Sequence, residues 1–208
     1  MARTFQSVCK LCRREGAQLY LKGARCFTVK CAVKKREYPP GAHVWRRQKI
    51  SDFGMKMRET QKVKRVYGLN HRQFRRIYAE AARMPGNTGE NLVQLLERRL
   101  INVVALLGFA PSRPAARQMI GHGHVRVNGR RMDIPSYEVR VGDVVTMHTR
   151  ERSQKLAKAS LDVGLQTRVP PWLARTEDPP SGRIVALPTR EDVTMPINEN
   201  LVVEYCSR

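Results

Sequence analysis

Acidic residues are scarce in this 208-residue sequence: 18 Asp and Glu stand against 39 Lys and Arg, which gives a formal charge of +21. This excess is far larger than solubility requires, and it predicts a polyanionic partner, with nucleic acid as the first candidate. Residues 1–90 hold 22 basic and 6 acidic residues, residues 91–168 hold 13 and 6, and residues 169–208 hold 4 and 6. We therefore expect most of the phosphate affinity in the first ninety residues and expect the acidic tail to pack on protein.

Long apolar segments are also missing. The longest run, LINVVALLGFA at residues 100–110, is too short to span a bilayer and includes Asn102. No lipidation signal or basic amphipathic helix indicates a membrane surface, and the first ten residues lack the apolar run of a secretory signal. The sequence therefore predicts a soluble, cytoplasmic protein with no membrane partner.

Cysteine is present at only five positions, but four of them lie in the first 31 residues. Two residues separate Cys9 from Cys12, thirteen lie between the pairs, and four separate Cys26 from Cys31. Two short loops of this kind can direct four sulfurs at one ion, so the spacing predicts a single structural Zn²⁺ with no open coordination position. Buried free thiols, a disulfide framework and a redox pair are the alternatives; disulfides conflict with a cytoplasmic location, and the context is not thioredoxin-like.

The same segment contains too few large apolar residues to fold unaided. Zinc bound by thiolates supplies about 10–16 kcal/mol in short peptides, which is enough to close such a loop. Lys10, Arg13, Arg25 and Lys30 adjoin the cysteines, and we expect them to lower the cysteine pKa values. The fifth cysteine, Cys206, is predicted to be a core thiol.

Helical periodicity dominates the next part of the chain. A first helix is predicted from residue 51 to Gly68. A second begins at Asn70, where Gln73 three residues later resembles a capping box, and it stops before residue 85. The third, GENLVQLLERRLINVVALLGF, starts near Asn87 or Thr88 and is predicted to be buried on most sides.

The periodicity of the apolar residues changes after residue 110. A short helix capped by Ser112 is followed by HVRVNG, which alternates as a strand does, and Asn128-Gly129 is a strong hairpin signal. Residues 138–149 are predicted to form another strand pair with a turn at Gly142-Asp143. Helices followed by a small antiparallel sheet indicate an α+β fold.

Several motifs together resemble one family. SRPAARQMIGHGHVRVNGRRMDIPSYEVRVGD resembles the RNA-binding module named for the fourth small-subunit ribosomal protein, S-four, and CKLCRREG, QKVKRVYG, TGENLVQLLERRL and VPPWL extend the resemblance over the chain. The sequence is identified as a member of the bacterial S-four family in its zinc-binding form. The resemblance implies a zinc module and linker at residues 1–44, a helical rRNA-binding domain at 45–95, an inserted RNA-binding module at 96–168, and a tail at 169–208 that packs back on the helical domain.

The resemblance also implies a function. It indicates a structural constituent of the small ribosomal subunit that binds 16S rRNA directly, nucleates assembly, neighbours proteins S-five and S-twelve, lies beside the mRNA entry channel and contributes to translational accuracy. Repression of its own operon mRNA is left open. The sequence shows no paired carboxylates, nucleophile triad or phosphate loop, so an RNA-modifying enzyme is disfavoured. A DNA-binding regulator is the other alternative.

The candidate RNA-binding residues are those that family positions and acid-poor basic runs select. They are Arg13, Arg14, Arg46, Arg47, Lys49, Arg58, Lys62, Lys64, Arg65, Arg72, Arg75, Arg76, Arg113, Arg117, His122, His124, Arg126, Asn128, Arg130 and Arg131. Alternation along the hairpin predicts a basic edge beside the helix of Arg113 and Arg117, suited to phosphates and the shallow groove of folded RNA. The alternatives are a solvated face for the helical lysines and arginines, and a metal site for the two histidines.

Three positions depart from the family pattern. Ile101 stands where the family usually has an acid, Ala105 where it has an aromatic residue, and Leu106 where it has a basic one. Ile101 and Ala105 share a helical face. We therefore expect this face to meet an apolar surface, within the protein or on a neighbour. The tail at residues 174–184 also departs from the family, and EDPPSG at 177–182 is predicted to be an exposed loop.

Overall fold

The computed structural model describes residues 7–42, 49–164, 169–193 and 195–207. The chain forms two compact units, one of Met1–Leu92 with Pro196–Arg208 and the other of Val93–Met195. The candidates Arg46 and Arg47 lie outside the described residues. In the described part of the chain, no helix has the length and apolar character needed to cross a membrane.

The cysteine-containing module is built from short helices. Helix α1 ends at Gly16, whose φ of +63° places it in the left-handed region that favours glycine. The cysteines lie in or next to these helices, and Leu19 between them is fully buried. The elements are α1 (Val8–Glu15), a 3₁₀ helix (Gly23–Cys26) and α2 (Ala32–Lys35).

The rest of the first unit is a helical domain, as the periodicity predicted. Asn70 caps its helix by accepting a hydrogen bond from the Gln73 amide at 2.8 Å, which confirms the predicted start. The C-terminal helix packs on α3, and Cys206 is buried there, so its prediction as a core thiol is confirmed. The helices are α3 (Asp52–Val66), α4 (His71–Ala81) and α9 (Glu199–Cys206).

The leucine-rich segment predicted as one helix is two helices, α5 (Thr88–Glu97) and α6 (Leu100–Leu106). The chain is extended at Arg99, with ψ of 134°, and Arg99 forms a β-bridge to Glu138. The Leu100 amide donates to the Tyr137 carbonyl at 2.8 Å, and the Val139 amide donates to the Arg98 carbonyl at 3.0 Å. The prediction was wrong because these long-range backbone bonds replace the helical ones.

The second unit contains a five-stranded antiparallel sheet in the order β2-β1-β3-β5-β4. Its buried side carries valines of β1 and β3 and packs against the entirely buried α6. Helices with a small antiparallel sheet confirm the α+β class. The elements are α7 (Arg113–Gly121), β1 (Val125–Val127), β2 (Arg130–Arg131), β3 (Val144–Met147), α8 (Glu151–Asp162), β4 (Leu173–Thr176) and β5 (Ser181–Ile184).

The segment at residues 138–149 contains one strand instead of the predicted pair. Before β3, Asp143 is buried, and its carboxylate accepts hydrogen bonds from Asn128 Nδ2 and the Arg140 amide, both at 2.8 Å. The predicted turn residue therefore fastens the β1–β2 hairpin to the segment before β3. The first half of the segment does not pair with β3, because Glu138 bridges to Arg99 and the Val139 amide donates to the Arg98 carbonyl.

The C-terminal tail is divided between the two units. Strand β5 pairs with β3, with Val145 opposite Gly182, so residues 173–184 belong to the second unit, whereas Pro196–Arg208 belongs to the first. The prediction that residues 169–208 pack back as one tail was therefore wrong for the β4–β5 hairpin. Charges and prolines in this segment obscure the alternation of a strand. Residues 177–179 are exposed, as the loop prediction expected, while Pro180 and Gly182 are buried.

The three residues that depart from the family pattern lie in the core of the second unit. Ile101, Ala105 and Leu106 are 5%, 6% and 8% exposed. The expectation that this face meets an apolar surface is confirmed, and that surface is within the protein itself. Apolar residues at these positions are thus explained by core packing.

Candidate nucleic-acid interface

The β1–β2 hairpin presents arginines on one side and valines on the other. Asn128 and Gly129 have φ of +50° and +77°, the geometry that a two-residue hairpin turn requires. The register pairs Arg126 with Arg131 across the strands. Val125 and Val127 are buried, so strand alternation turns Arg126 to the opposite face. Arg126 and Arg131 therefore share the face opposite the valines, while Arg130 is paired with Val127. The placement of a basic edge beside the helix of Arg113 and Arg117 stays a prediction.

Histidines from neighbouring segments gather around Arg126. His124 Nδ1 lies 2.9 Å from Ser153 Oγ, and the His122 and His124 ring centroids are 6.2 Å apart. Arg126 Nη2 lies 3.3 Å from His148 Nε2, within hydrogen-bonding distance. We call His122, His124, Arg126, Arg131 and His148 the hairpin cation cluster.

Gly123 allows Arg131 to close over the cluster. A Cβ at position 123 would lie 2.5 Å from Arg131 Nε, and Gly123 has φ of +74°. The Arg131 side chain is flexible and could move away from a Cβ, so it is the backbone conformation that favours glycine here. The guanidinium of Arg131 covers the turn between the two histidines as a result.

Two imidazoles of the cluster, those of His124 and His148, have lowered pKa values. Burial lowers the pKa of His124, and its neighbours His122, Arg152 and Arg150 lower it further. Desolvation also lowers the pKa of His148, assisted by Arg126 and Arg150. A phosphate would reverse this effect, because an adjacent negative charge favours the protonated imidazole.

Sequence reasoning missed His148, which adjoins His124 across the sheet. The His148 amide donates to the His124 carbonyl at 2.7 Å, directly after β3. The pairing of β1 with β3 brings the two histidines together, although 24 positions separate them in the chain. The signal that would have found His148 is the register between these strands, which the sequence pattern alone did not define.

Two other candidates in the second unit serve its internal structure. Arg113 Nε donates to Asn102 Oδ1 at 2.7 Å. Asn128 bonds to Asp143 and accepts from the Val144 amide at 2.9 Å. Arg117 on the same helix as Arg113 is half-buried, and Arg130 at the hairpin tip is exposed. The exposed hairpin therefore offers more to a partner than the start of α7 does.

In the first unit, acids from distant parts of the chain pair with the basic run of α3. The buried carboxylate of Glu15 forms ion pairs with Arg65 and Arg58. Glu59 pairs with Lys62 at 3.1 Å. The expectation that this run has no acids to pair with was therefore wrong, because Glu15 reaches it from α1 and Glu59 from within α3.

Lys64 is 9% exposed, and burial lowers its pKa. Its position does not favour the predicted phosphate contact, since little of the side chain is open to a partner. Arg72 and Arg76 of α4 are exposed on the face opposite the buried Phe74. Arg75 is exposed beside them, although its Nη1 donates to the Cys206 carbonyl at 3.4 Å. Lys49, before α3, is exposed as well. Among the described candidates of this domain, these four side chains are the exposed ones.

Arg13 and Arg14 fasten the linker that follows the cysteine module. Arg13 Nε donates to the Tyr38 carbonyl at 3.0 Å, and its guanidinium lies 4.8 Å from the centroid of the Tyr38 ring. Arg14 Nη2 donates to the Pro40 carbonyl at 2.9 Å. Both arginines thus hold residues 38–40 against α1, a role that the sequence pattern did not indicate.

The four N-terminal cysteines line one small cavity. Val8, Leu21 and Ala32 are among the apolar residues around them, and none of the four forms a disulfide. Burial raises the pKa of Cys12 and of Cys26, and the neighbouring cysteines raise both further. The expected lowering by nearby cations was therefore wrong for these two thiols, because desolvation outweighs it. Within the described residues, no three His, Cys, Asp or Glu side chains form a group that would hold a metal ion.

The sequence matches family models along most of its length. A model described as the ribosomal protein S4/S9 N-terminal domain matches residues 3–97, and one described as the S4 domain matches residues 98–145. The chain is 52% identical over 208 residues to small ribosomal subunit protein uS4 of Thermoanaerobacter sp. (strain X514), with both chains fully covered. The chain belongs to the uS4 family. It is also 53% identical over 210 residues to uS4 of Pelobacter propionicus and 50% identical over 208 residues to uS4 of Halothermothrix orenii, again over the full length of both chains.

Membership in the uS4 family agrees with the structure around the hairpin. The match described as the S4 domain begins at residue 98, where α5 ends and the chain becomes extended. It includes α6, α7 and the β1–β2 hairpin, and thus four of the five cluster residues. His148 lies just outside this match and adds an imidazole from the segment after β3.

Proposed function

We propose that this protein is a structural constituent of the small ribosomal subunit that binds 16S rRNA directly, with the hairpin cation cluster as a principal contact. The carrying observation is that two guanidinium donors, those of half-buried Arg126 and exposed Arg131, lie opposite each other on one face of the hairpin. An anionic oxygen satisfies such a donor. Relatives over the whole chain are named as small ribosomal subunit proteins and not as enzymes.

The chemistry is that of shape and charge recognition. RNA helices present phosphates and 2′-hydroxyls across a shallow minor groove, which cations on a rigid scaffold contact without reading a sequence. The hairpin and the exposed arginines of α4 provide two such surfaces, one in each unit. Affinity that depends on phosphate contacts falls as salt rises, because binding releases counterions.

Competition binding tests this function. We expect the purified full chain to bind a 16S rRNA transcript more tightly than duplex DNA of matched length at the same physiological salt. A preference for DNA would support a DNA-binding regulator instead. Absence of the chain from the small-subunit peak, when cell extract is sedimented, would contradict the ribosomal assignment.

We propose in addition that Cys9, Cys12, Cys26 and Cys31 hold one structural Zn²⁺. The supporting observations are that all four line the same cavity and that none is bonded in a disulfide. As they stand here, no three of the described side chains are grouped to hold an ion, so the site would form when the metal draws the four sulfurs together. Four sulfur donors suit zinc, and the metal would fasten the loops of a module with few large apolar residues. Mass spectrometry of the native protein should find about one equivalent of zinc, and less than half an equivalent would contradict the site.

The finer role follows the family resemblance. We propose that the chain binds 16S rRNA early in assembly, contacts proteins S-five and S-twelve, lies beside the mRNA entry channel and contributes to translational accuracy. Its own operon mRNA is a further proposed ligand. In reconstitution of small subunits, omission of this chain should block later proteins from joining, and unchanged assembly would contradict a nucleating role.

A further inference from the structure

The N-terminal module exposes two aromatic rings side by side. The ring centroids of Tyr20 and Phe27 are 5.0 Å apart, and the ring planes are tilted by 31°. Tyr20 is 37% exposed and Phe27 is 46% exposed, whereas Tyr67 and Phe74 in the same unit are each 1% exposed. Aromatic rings usually contribute their large area to a core. In this pair, much of the ring area is exposed at the surface instead.

The local backbone keeps both rings at the surface. Tyr20 lies between Leu19 and Leu21, both of which are buried, and its φ of +50° is rare for a bulky residue. Phe27 follows buried Cys26, and its amide donates to the Ala24 carbonyl at 3.1 Å. The buried residues beside the rings anchor the backbone in the cysteine module, so the rings are held in place on its outer side.

The turn that carries Phe27 is closed by further hydrogen bonds. Thr28 Oγ1 donates to the Arg25 carbonyl at 3.0 Å and accepts from the Lys30 amide at 3.3 Å. The Cys31 amide donates to the Thr28 carbonyl at 3.1 Å. Because this surface is already fixed, the protein loses little conformational freedom when it binds a partner.

The charge around the rings indicates the chemistry of that partner. Residues 16–36 contain six Lys and Arg and no Asp or Glu. Lys22, Arg25 and Lys30 are exposed and lie within three positions of one of the rings. Flat π faces bordered by cations suit an unpaired nucleotide, whose base stacks on a ring while its phosphates meet the cations.

We propose that Tyr20 and Phe27 form a stacking platform for an unpaired base of 16S rRNA, with Lys22, Arg25 and Lys30 contacting the flanking phosphates. This site rests on the proposed function, because it takes 16S rRNA as the ligand. It adds base stacking to an interface whose other parts bind through charge. Stacking is tolerant of sequence, so the platform selects a nucleotide that is unpaired and not a particular base.

Leucine substitutions separate stacking from apolar contact. The double variant Tyr20→Leu with Phe27→Leu keeps apolar side chains of substantial size but removes both π faces, and we expect its Kd for a 16S rRNA transcript to rise by about 5- to 30-fold. The slope of log Kd against log salt should stay unchanged, because no cation is lost. Phe27→Tyr keeps the ring, and Val29→Ala removes an exposed neighbour without a ring. Both should bind within about twofold of wild type.

Ultraviolet crosslinking of the wild-type complex, with mass spectrometry of the peptides, gives a readout that folding defects do not mimic. We expect a nucleotide adduct on Tyr20 or Phe27. One result is that the wild type binds the transcript while the double variant keeps its affinity and no adduct forms on either ring. That result excludes the stacking platform and leaves rRNA binding intact. A changed slope of log Kd against log salt in the double variant would also overturn the stacking platform. Crosslinks from Tyr20 or Phe27 to a protein instead of RNA, in reconstituted subunits, would overturn it as well. If wild type itself fails to bind, the proposed function fails.

Discussion

Arg126 Nη2 lies 3.3 Å from His148 Nε2, while Arg126 Nε is buried and has no hydrogen-bond partner within the described residues. The contact joins β1 to the residue that follows β3, so the position of the guanidinium depends on the pairing of these strands. A buried donor without an acceptor is costly and uncommon in folded proteins. The buried Nε is closed to a partner, so an RNA phosphate in the proposed complex would meet the part of Arg126 that remains exposed.

Arg126→Met should weaken binding of a 16S rRNA transcript by about 10-fold or more, because it removes a charge-assisted hydrogen bond of about 1.5–3 kcal/mol. The salt slope should decrease by about one unit, as expected for the loss of one phosphate contact. Lys155→Met provides the control, since Lys155 is an exposed residue on α8 that pairs with Glu151. Filter binding over a salt series measures both quantities, and equal losses in the two variants would contradict the assignment.

Binding of RNA should become tighter as the pH falls from about 8 to 6. In the free protein the pKa values of His124 and His148 are lowered, so both imidazoles are neutral near pH 7. An adjacent phosphate raises these pKa values, so the complex takes up protons and gains affinity when the pH falls through this range. His124→Gln with His148→Gln should reduce this dependence, and an identical pH profile would show that the imidazoles do not meet phosphate.

Gly182→Ala should destabilise the second unit by about 1–3 kcal/mol, because the added methyl group overlaps the buried side chain of Leu107. Gly121→Ala is the matched control, since a Cβ at position 121 meets nothing within 4 Å and the residue ends a helix. We expect the control to change the free energy of unfolding by less than about 0.5 kcal/mol. Urea denaturation measures both, and Leu107→Ala should offset part of the Gly182→Ala cost in the double variant.

The sequence predicted the features that depend on neighbouring residues, but not those that depend on contacts between distant parts of the chain. The caps at Asn70 and Ser112 and the turn at Asn128-Gly129 depend on neighbouring residues, so their chemistry is visible in a short window. The break at Arg99 depends on a bridge to Glu138, 39 positions away. The residues around the leucine-rich run show only helical periodicity, so the local sequence predicts one continuous helix there.

In the candidate interface too, the sequence predicted the features that depend on neighbouring residues and missed the contacts between distant ones. The basic hairpin was predicted because its charges alternate along consecutive residues. The pairing of Glu15 with Arg65 crosses 50 positions, and the contact between Arg126 and His148 crosses 22. Such contacts depend on tertiary packing and strand register, which a charge run does not encode.

Glu15→Gln should lower the free energy of unfolding by about 1–3 kcal/mol, because it leaves Arg58 and Arg65 without their buried partner. The arginines retain some exposure, which limits the cost. Glu151→Gln breaks an exposed pair with Lys155 on α8 and should cost less than about 0.5 kcal/mol. Thermal and urea unfolding of both variants compares them, and an equal effect would show that the Glu15 contacts do not stabilise the helical domain.

Lys64→Met and Arg76→Gln distinguish charge buried inside the helical domain from charge that is open to a partner. Lys64 is buried with a lowered pKa, so its replacement should leave the affinity for a 16S rRNA transcript within about twofold of wild type. Arg76 is exposed on α4, and its loss should weaken binding and reduce the salt slope by about one unit. Both variants remove one positive charge, so net charge alone predicts the same loss for each. A larger loss for Lys64→Met, with normal unfolding, would mean that α3 and not α4 faces the RNA.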